Sequence, residues 1–229
     1  SEQLVVDPAR LAITLEPGKS MAIPVSVNVA QKGAKADLEI DTRLVWADGR
    51  VETQRAIAVE YLGARGRANI LPSADAYVSK GTPDKNFGTD ATLLVDGGNT
   101  QFGDESHNVA YLRFPLDLPG KPVSAKLRIH VPAGGHTQSA DSGKVRLVTG
   151  PWEEYAITYA KRPEPGKDLA ILGKIEQQEW VERVLDIDLT GLKELSICLD
   201  PTGNDGASYV SREGPQKPEL VVEYEAPYE

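Results

Sequence analysis

The sequence predicts an all-β protein built from two β-sandwich domains. Apolar residues alternate with polar ones at a period of two, most clearly over residues 21–29, 125–131 and 220–224. This alternation is typical of strands with one face in a core and the other in water. The 21 glycines and 16 prolines among 229 residues favour many short strands joined by turns over long helices.

Residues 1–62 are predicted to form a small immunoglobulin-like β-sandwich. Glu16-Pro17-Gly18 and Asp48-Gly49 supply turns, and the second is typical of a tight hairpin. The segment is too short for a full immunoglobulin domain and fits a reduced sandwich. The five expected strands are Leu4–Val6, Leu11–Leu15, Met21–Val29, Asp37–Trp46 and Val51–Tyr61.

Residues 63–69 are the predicted linker, because the stretch from Gly63 to Gly66 contains no large apolar residue. Residues 70–229 then carry about nine short strands, interrupted by turn-rich stretches at 80–90 and 150–173, and residues 168–175 are expected to form a helical turn. Short strands at regular spacing with loops of this size predict a jelly-roll sandwich.

The charge of the chain disfavours two classes of partner. The net charge is -9, of which residues 67–229 contribute -8, with 17 basic and 25 acidic side chains. An acidic surface repels nucleic-acid phosphates and anionic membranes. No apolar run approaches the length of about 18 residues that spans a bilayer. Nucleic-acid binding and membrane insertion are therefore not expected.

The cysteine and histidine residues show no spacing that is typical of a catalytic site or of a thiolate metal site. The single cysteine, Cys198, excludes an intrachain disulfide and lies in an apolar run that predicts a buried thiol. The three histidines are scattered, and no serine lies in a G-x-S-x-G turn. Glu153 and Glu154 are adjacent, so on a strand they point to opposite faces and cannot serve together as a glycosidase pair. The prediction is that the protein is not an enzyme.

The order of motifs after residue 72 resembles the DNRLRE domain, which is related to the disaggregatase-related repeats and to carbohydrate-binding module family 96. The resemblance covers about 155 residues, nearly all of the second domain. It departs at Tyr159, where a tryptophan is expected, and at Pro115, where an aspartate is usual. The motifs are Ser73-Ala-Asp-Ala-Tyr-Val78, Thr82-Pro-Asp-Lys-Asn-Phe-Gly88, Thr92-Leu-Leu-Val95, Ala110-Tyr-Leu-Arg-Phe114, Val123-Ser-Ala-Lys-Leu-Arg-Ile129, Trp152-Glu-Glu154 with Ile157-Thr-Tyr159, Trp180 with Asp188-Leu-Thr190, Val210-Ser-Arg-Glu213 and Pro218-Glu-Leu-Val-Val222.

The resemblance implies a non-catalytic jelly-roll module of a bacterial or archaeal secreted or cell-surface protein. Such modules stand beside polysaccharide lyases or glycoside hydrolases in larger multidomain chains. It also implies binding of an anionic polysaccharide, alginate being the reference ligand. The expected location is therefore extracellular or at the cell surface, and the expected partner is a polysaccharide, with a polyuronate as the specific expectation.

Basic and aromatic side chains in the two long loops are the candidate ligand contacts. A polyuronate meets repulsion from this acidic domain unless basic residues cluster locally or calcium bridges the carboxylates. Trp152 has an alternative interpretation as a cap on the core. Arg113 and Arg212 are expected to form internal ion pairs with carboxylates such as Asp75, Asp188 or Glu213. The candidate ligand-binding residues are Lys80, Lys85, Trp152, Tyr155, Tyr159, Lys161 and Arg162, with Lys167 as a further basic residue of the second loop.

Oxygen-bearing side chains predict a structural Ca²⁺ ion. Asp75, Asp84, Asn86 and Glu213 are the candidate ligands, because a hard cation prefers oxygen donors and an irregular loop can wrap it. The segment 200–206 resembles a calcium loop only superficially and is interpreted as a turn, because Asp205 stands where an EF-hand needs glycine.

Two alternatives to sugar binding remain open on the sequence. The second hypothesis is that the two domains have a structural spacer or adhesion role at a cell surface and bind no sugar. A polysaccharide lyase or hydrolase is the third hypothesis, with Tyr155 and Tyr159 near Lys161 and Arg162 as the sequence-local candidates for its base and charge neutraliser.

Overall fold

The computed structural model describes residues 4–7, 14, 26–29, 35–45, 51–62, 65–99, 101, 103, 106–135 and 137–225. The chain divides into two compact units, Ser1–Gly66 with Glu225–Glu229, and Arg67–Tyr224. The boundary between Gly66 and Arg67 lies inside the predicted linker. No helix among the described residues is long and apolar enough to cross a membrane.

The described part of the first unit is two antiparallel strand pairs. Strand β1 (Leu4–Asp7) pairs with β2 (Ser26–Val29), and β3 (Lys35–Val45) pairs with β4 (Val51–Leu62) from Lys35↔Leu62 to Val45↔Val51. The β3–β4 register agrees with the hairpin predicted at Asp48-Gly49, although the turn itself and most of the strand predicted at 11–15 lie outside the described residues. The immunoglobulin-like assignment of this unit stays a prediction.

The second unit is a β-sandwich, which confirms the predicted all-β class. One sheet has the strand order β11-β10-β13-β8-β6, and strands β12, β9, β15 and β5 are consecutive neighbours in another, while β14 pairs with β7. The strands are β5 (Arg65–Ile70), β6 (Ala74–Ser79), β7 (Thr92–Val95), β8 (Asn108–Pro115), β9 (Lys121–His130), β10 (Lys144–Leu147), β11 (Asp168–Ile171), β12 (Trp180–Val184), β13 (Glu194–Asp200), β14 (Ala207–Val210) and β15 (Glu219–Glu225).

Two stretches differ from their predicted conformation. Strand β5 occupies Arg65–Ile70, a stretch assigned to the linker, and alternates between exposed and half-buried residues. The helical turn predicted over residues 168–175 is wrong, because β11 forms there instead. Its Lys144↔Ile171 and Val145↔Ala170 pairs with β10 satisfy backbone groups that a lone helical turn would leave to water.

The main core lies between the sheets and follows the period-two pattern. Alternate residues of β8, β9, β13 and β15 enter it, and all the residues in the following list are at most 2% exposed. Burial of these side chains removes apolar surface from water, which is the dominant favourable term in folding. The set includes Ala110, Leu112, Phe114, Ala125, Leu127, Ile129, Leu195, Ile197, Leu199, Leu220 and Val222.

A second, smaller core covers the outer face of the β13-β8-β6 part of the five-stranded sheet. Val109 and Tyr111 of β8 point to this face, and the loop after β10 covers them with Val148, Trp152 and Ile157. Strands β6 and β8 are therefore buried on both faces, which explains their nearly continuous burial. Cys198 belongs to this core, and burial raises the pKa of its thiol, as expected for an unreactive cysteine.

Candidate functional site

The two long loops pack against each other. The N–H of Ala160 donates to the carbonyl of Pro83 over 3.0 Å. The Asn86 side-chain amide donates to the carbonyls of Glu154 and Ile157, each over 2.8 Å, while its oxygen accepts from the N–H of Gly88. The side chain of Asn86 thus works as a clamp between residues 80–90 and the loop after β10.

The two joined loops carry four basic residues, Lys80, Lys85, Lys161 and Arg162, and we call these four residues the basic loop surface. Pro83 and Ala160, the joined residues, precede Lys85 and Lys161 closely in each loop. Lys80 lies beside the same junction, since its N–H donates to the carbonyl of His107 and His107 adjoins Tyr159. All three lysines are exposed.

Tyr159 lies at the start of a short 3-10 helix, Tyr159–Lys161, and contacts Arg162 and His107. The Arg162 guanidinium stacks on its ring at 3.7 Å from the centroid, and the Tyr159 hydroxyl lies 3.3 Å from Nδ1 of His107. Burial lowers the pKa of His107, and the positive charges of Arg162 and Lys80 lower it further. The lowered pKa favours a neutral imidazole near pH 7, so the cations here are the lysines and Arg162, whose guanidinium lies 3.8 Å from the Glu164 carboxylate.

Lys85 makes a second cation–π contact at this surface. Its ammonium lies 4.5 Å from the centroid of the Phe87 ring, which is itself stacked on Tyr77 at 4.2 Å. Such a contact restricts the position of the ammonium without neutralising it. Lys85 therefore presents a positioned positive charge to solvent.

Three other candidates do not join the basic loop surface in the expected way. Lys167 pairs with Asp186 at 2.7 Å, so its charge is compensated. Trp152 is 7% exposed, donates from Nε1 to Ser196 Oγ over 2.7 Å and is covered by the Arg113 guanidinium. A ring held in this way has no free face for a pyranose, and its position agrees with the core-cap interpretation.

Tyr155 lines a groove to which no residue of the basic loop surface contributes. Its side chain is 66% exposed, and the groove of about 350 Å³ beside it is lined by Arg113, Glu153 and Glu154 as well. A hydrogen bond with Glu154 raises the pKa of the Tyr155 hydroxyl. Tyr155 therefore stands among carboxylates, and a phenol with a raised pKa is a poor base for the lyase hypothesis.

Three carboxylates meet at the edge of the second core. Asp75, Glu154 and Glu213 each place an oxygen within 4.8 Å of the others. Arg212 donates to both oxygens of Glu154 at 2.8 and 2.9 Å, and its backbone N–H donates to Asp75 Oδ2 at 2.7 Å. The backbone N–H of Asp75 in turn donates to Glu154 over 2.9 Å. This carboxylate cluster ties three distant segments of the chain together.

Burial dominates the electrostatics of the cluster. Asp75 is 1% exposed, and desolvation, opposed by the Arg212 N–H and reinforced by the charges of Glu213 and Glu154, raises its pKa to about 7. Asp75 thus carries a proton in a large share of molecules at neutral pH. The single guanidinium of Arg212 cannot balance three ionised carboxylates.

The predicted calcium ligand set needs a correction. Asp75 and Glu213 do meet, but their partner is Glu154. Asn86 is not available, because both polar atoms of its amide bond to backbone groups. Asp84 is exposed on the 80–90 loop and is not a member of the cluster. Calcium binding itself stays a prediction, with the carboxylate cluster as the donor set that the geometry offers.

Calcium addition should separate a metal site from a protonated cluster. If Ca²⁺ binds Asp75, Glu154 and Glu213, adding 1 mM CaCl₂ to EDTA-treated protein at pH 8 is expected to raise the melting temperature by several degrees, because a ligand of the native state stabilises it. Scanning fluorimetry measures this shift, and MgCl₂ is the control for ionic strength. An unchanged melting temperature would contradict calcium binding.

The expectation for the two motif arginines is half right. Arg212 forms an internal ion pair, mainly with Glu154 and at 3.8 Å with Glu213. Arg113 was expected to pair with a carboxylate but instead donates to the carbonyl of Trp152 and stacks on its ring at 4.8 Å. Arg113 therefore helps to hold Trp152 in its buried position and to cover its ring.

Comparison with known proteins decides the family. The model of carbohydrate-binding module family 96 matches residues 67–224, which is more than two thirds of the chain. The chain belongs to carbohydrate-binding module family 96. The match spans the second unit from Arg67 to Tyr224, and this is a family of non-catalytic, carbohydrate-binding modules.

Other comparisons add little to this assignment. Among the solved structures that match, one is described as "Structural basis for the promiscuous specificity of the carbohydrate-binding modules from the beta-sandwich super family". It is 11% identical, with 91% of this chain and 78% of that chain covered and a TM-score of 0.28. No curated protein matches the chain.

Sequence reasoning on this family 96 member missed two groups of residues. The place of Glu154 beside Asp75 and Glu213 depends on contacts across 79 and 59 positions of sequence. A cleft lined by Asp96, Asn108 and Asp205 was not anticipated either. The available signal was the run of Asp, Asn and Gly at 200–206, which was interpreted as a turn.

Proposed function

We propose that the second unit binds an anionic polysaccharide, such as the polyuronate alginate, through the basic loop surface. The single observation that supports this proposal is the joining of the two loops, in which the Pro83–Ala160 hydrogen bond lies close in sequence to Lys85 and Lys161 and Arg162 stacks on Tyr159. Uronate carboxylates pair with ammonium groups, which the exposed Lys85 and Lys161 supply, whereas Arg162 already donates to the Tyr159 carbonyl and lies 3.8 Å from Glu164.

The net charge of the unit does not prevent this binding. At physiological salt the Debye length is about 8 Å, so a polyanion senses the charges near its own path much more than the total of the molecule. Positioned cations on one surface can therefore attract a polyuronate while acidic residues elsewhere are screened. Affinity is expected to fall as salt rises, because exposed charge pairs are screened.

The proposed biological role is targeting. Membership of a family of carbohydrate-binding modules supports a function in holding an attached enzyme or surface protein close to its glycan, and we place this role outside the cell, where such polysaccharides occur. The non-catalytic nature of the family and the raised pKa of Tyr155 favour binding over a lyase activity.

Charge removal on the basic loop surface tests the proposal. The double variant Lys85→Gln and Lys161→Gln is expected to bind alginate about tenfold more weakly in 50 mM NaCl, since each exposed charge pair contributes up to about 1 kcal/mol. Calorimetry or affinity electrophoresis measures the loss. The matched control is Lys167→Gln with Lys174→Gln, two exposed lysines already paired with Asp186 and Glu176.

Two outcomes would contradict the proposal. Unchanged alginate affinity in the Lys85→Gln, Lys161→Gln variant would remove the basic loop surface from the binding site. No retention of wild-type protein by alginate, pectin or fucoidan would remove the anionic ligand altogether and would favour the spacer or adhesion role.

A further inference from the structure

The side-chain amide of Asn86 joins the two long loops through its nitrogen and supports its own loop through its oxygen. The nitrogen donates to the carbonyls of Glu154 and Ile157, each over 2.8 Å, and these acceptors lie 68 and 71 positions later in the chain. The oxygen accepts from the N–H of Gly88 over 3.1 Å. Replacement of the amide therefore breaks two hydrogen bonds between the loops at once.

The two loops are in backbone contact at the same place. A Cβ on Gly88 would lie 2.9 Å from the carbonyl carbon of Glu154 and still closer to its oxygen, which is too close for a side chain. Phe87, between Asn86 and Gly88, is 8% exposed and belongs to the main core. The contact is therefore close-packed, and loss of the Asn86 amide would leave two carbonyls there without that donor.

The two lysines on which the proposed function depends lie beside these bonds in the chain. Lys85 immediately precedes Asn86. Ile157, which accepts from Asn86, lies just before the 3-10 helix that ends at Lys161. Both lysines are exposed. Together with the backbone hydrogen bond between the loops, the two bonds of Asn86 therefore set the relative backbone positions of Lys85 and Lys161.

A polyanion that meets two cations binds better when their relative position is already fixed. A loop that must be ordered on binding lowers the affinity, because its ordering costs entropy. Two cations held at one junction also act together, since the first ion pair keeps the next carboxylates of the same polymer near the second cation. Loops that could move apart would lose this advantage, although each would keep its own lysine.

We propose that Asn86 is a positioning residue for polyanion binding, which acts through its bonds to Glu154 and Ile157 and not by contact with the glycan. These bonds keep Lys85 and Lys161 in one arrangement, so that carboxylates of a single polyuronate chain engage both. The inference rests on the proposed function. It adds an uncharged residue that joins the loops to the determinants of affinity.

A double-mutant cycle tests this role. Asn86→Ala, with all four basic residues intact, is expected to weaken alginate binding about threefold to tenfold in 50 mM NaCl, because the loops must then be ordered on binding. In the Lys85→Gln, Lys161→Gln background the same substitution is expected to change the affinity less than about twofold, since the lysines that it positions are absent. Calorimetry measures both effects at a temperature at which circular dichroism shows each variant folded.

Two further variants separate positioning from stability. Asn86→Ser keeps an oxygen that can accept the N–H of Gly88 but loses the amide between the loops, so this milder change is expected to weaken alginate binding in the same direction. Ser139→Ala is the matched control, because Ser139 is 3% exposed and its Oγ donates to the carbonyl of Asp205 over 2.7 Å, outside the two long loops. It is expected to lower the melting temperature and to leave alginate affinity unchanged.

The outcomes distinguish this inference from the proposed function. If Lys85→Gln with Lys161→Gln weakens alginate binding but both Asn86 variants leave it unchanged, the positioning role is overturned and the binding site stands. An equal loss from Asn86→Ala with and without the two lysines, or an equal loss from Ser139→Ala, would overturn the role as well, because the effect would not pass through the lysines. Absence of alginate binding by the wild type would overturn both.

Discussion

Replacing Arg212 with methionine is expected to lower the free energy of unfolding by about 3 kcal/mol or more. The substitution removes two hydrogen bonds to Glu154, whose side chain is only 7% exposed, and one to the carbonyl of Ser73. Loss of one partner of a buried ion pair leaves the other charge without compensation, which typically costs about 3–5 kcal/mol. Urea denaturation at pH 7 measures the loss.

Two further variants distinguish this pair from ordinary surface charge. Lys126→Met removes a 2.6 Å ion pair with Glu182, which is 41% exposed, and is expected to cost less than about 1 kcal/mol. Adding Glu154→Gln to Arg212→Met is expected to recover part of the lost stability, because no charge is then left buried alone. A cost below about 1 kcal/mol for Arg212→Met would mean that the pair contributes little.

Substitution of Asp75 with asparagine is expected to remove a large part of the pH dependence of stability. The folded pKa of Asp75 is about 7, and its ordinary value is near 3.8. Between these values the folded state holds a proton that the unfolded state has released. The stability contributed by that proton is fully present below pH 3.8 and is lost as pH rises to about 7.

The folded and unfolded pKa values of Asp75 set the expected difference in stability between the wild type and the Asp75→Asn variant. From pH 4 to pH 8 the wild type should lose on the order of 3 kcal/mol that the Asp75→Asn variant keeps, since each unit of pKa shift corresponds to about 1.4 kcal/mol. Asparagine can still accept the N–H of Arg212 and can donate to Glu213. Urea denaturation of both proteins across this range gives the difference directly.

Asp84→Asn is the matched control for this experiment. It makes the same change of charge on an exposed loop, so it reports the effect of net charge without burial. A stability difference between wild type and Asp75→Asn that stays constant from pH 4 to pH 8 would contradict the raised pKa of Asp75. If added Ca²⁺ stabilises the wild type at pH 8, its failure to stabilise Asp75→Asn would locate the ion at the cluster.

The prediction of strands succeeded where local pattern and tertiary environment agree. Residues 125–130 lie in β9 and alternate in burial because one side of the strand meets the core, and residues 220–224 lie in β15, whose Leu220 and Val222 enter the core. Residues 168–171 form a strand that the sequence did not reveal, because β10 supplies the hydrogen bonds. Strand β8 is buried on both faces, since a loop almost forty residues away covers its outer side.

The sequence predicted which residues were candidates for the site, but it did not predict how the fold arranges them. The sequence names the basic residues as candidates, but the packing of the two loops that carry them depends on Asn86 reaching backbone carbonyls about seventy residues later. Trp152 resembled a sugar-binding ring in a loop, and only its burial under Arg113 identifies it as core. Asn86 resembled a calcium ligand, but both ends of its amide are used to hold the loops.

The sequence by itself determined the all-β class, the absence of a disulfide and the family to which the second unit belongs. These depend on period-two alternation, on a single cysteine and on the order of short motifs, all of which are local properties or counts. Only the tertiary structure decided which carboxylates meet, which aromatic rings stay exposed and how the two basic loops pack together. Those outcomes depend on contacts between residues about 40 to 140 positions apart, and burial at such contacts contributes both to the pKa of Asp75 and to the exposure of each ring.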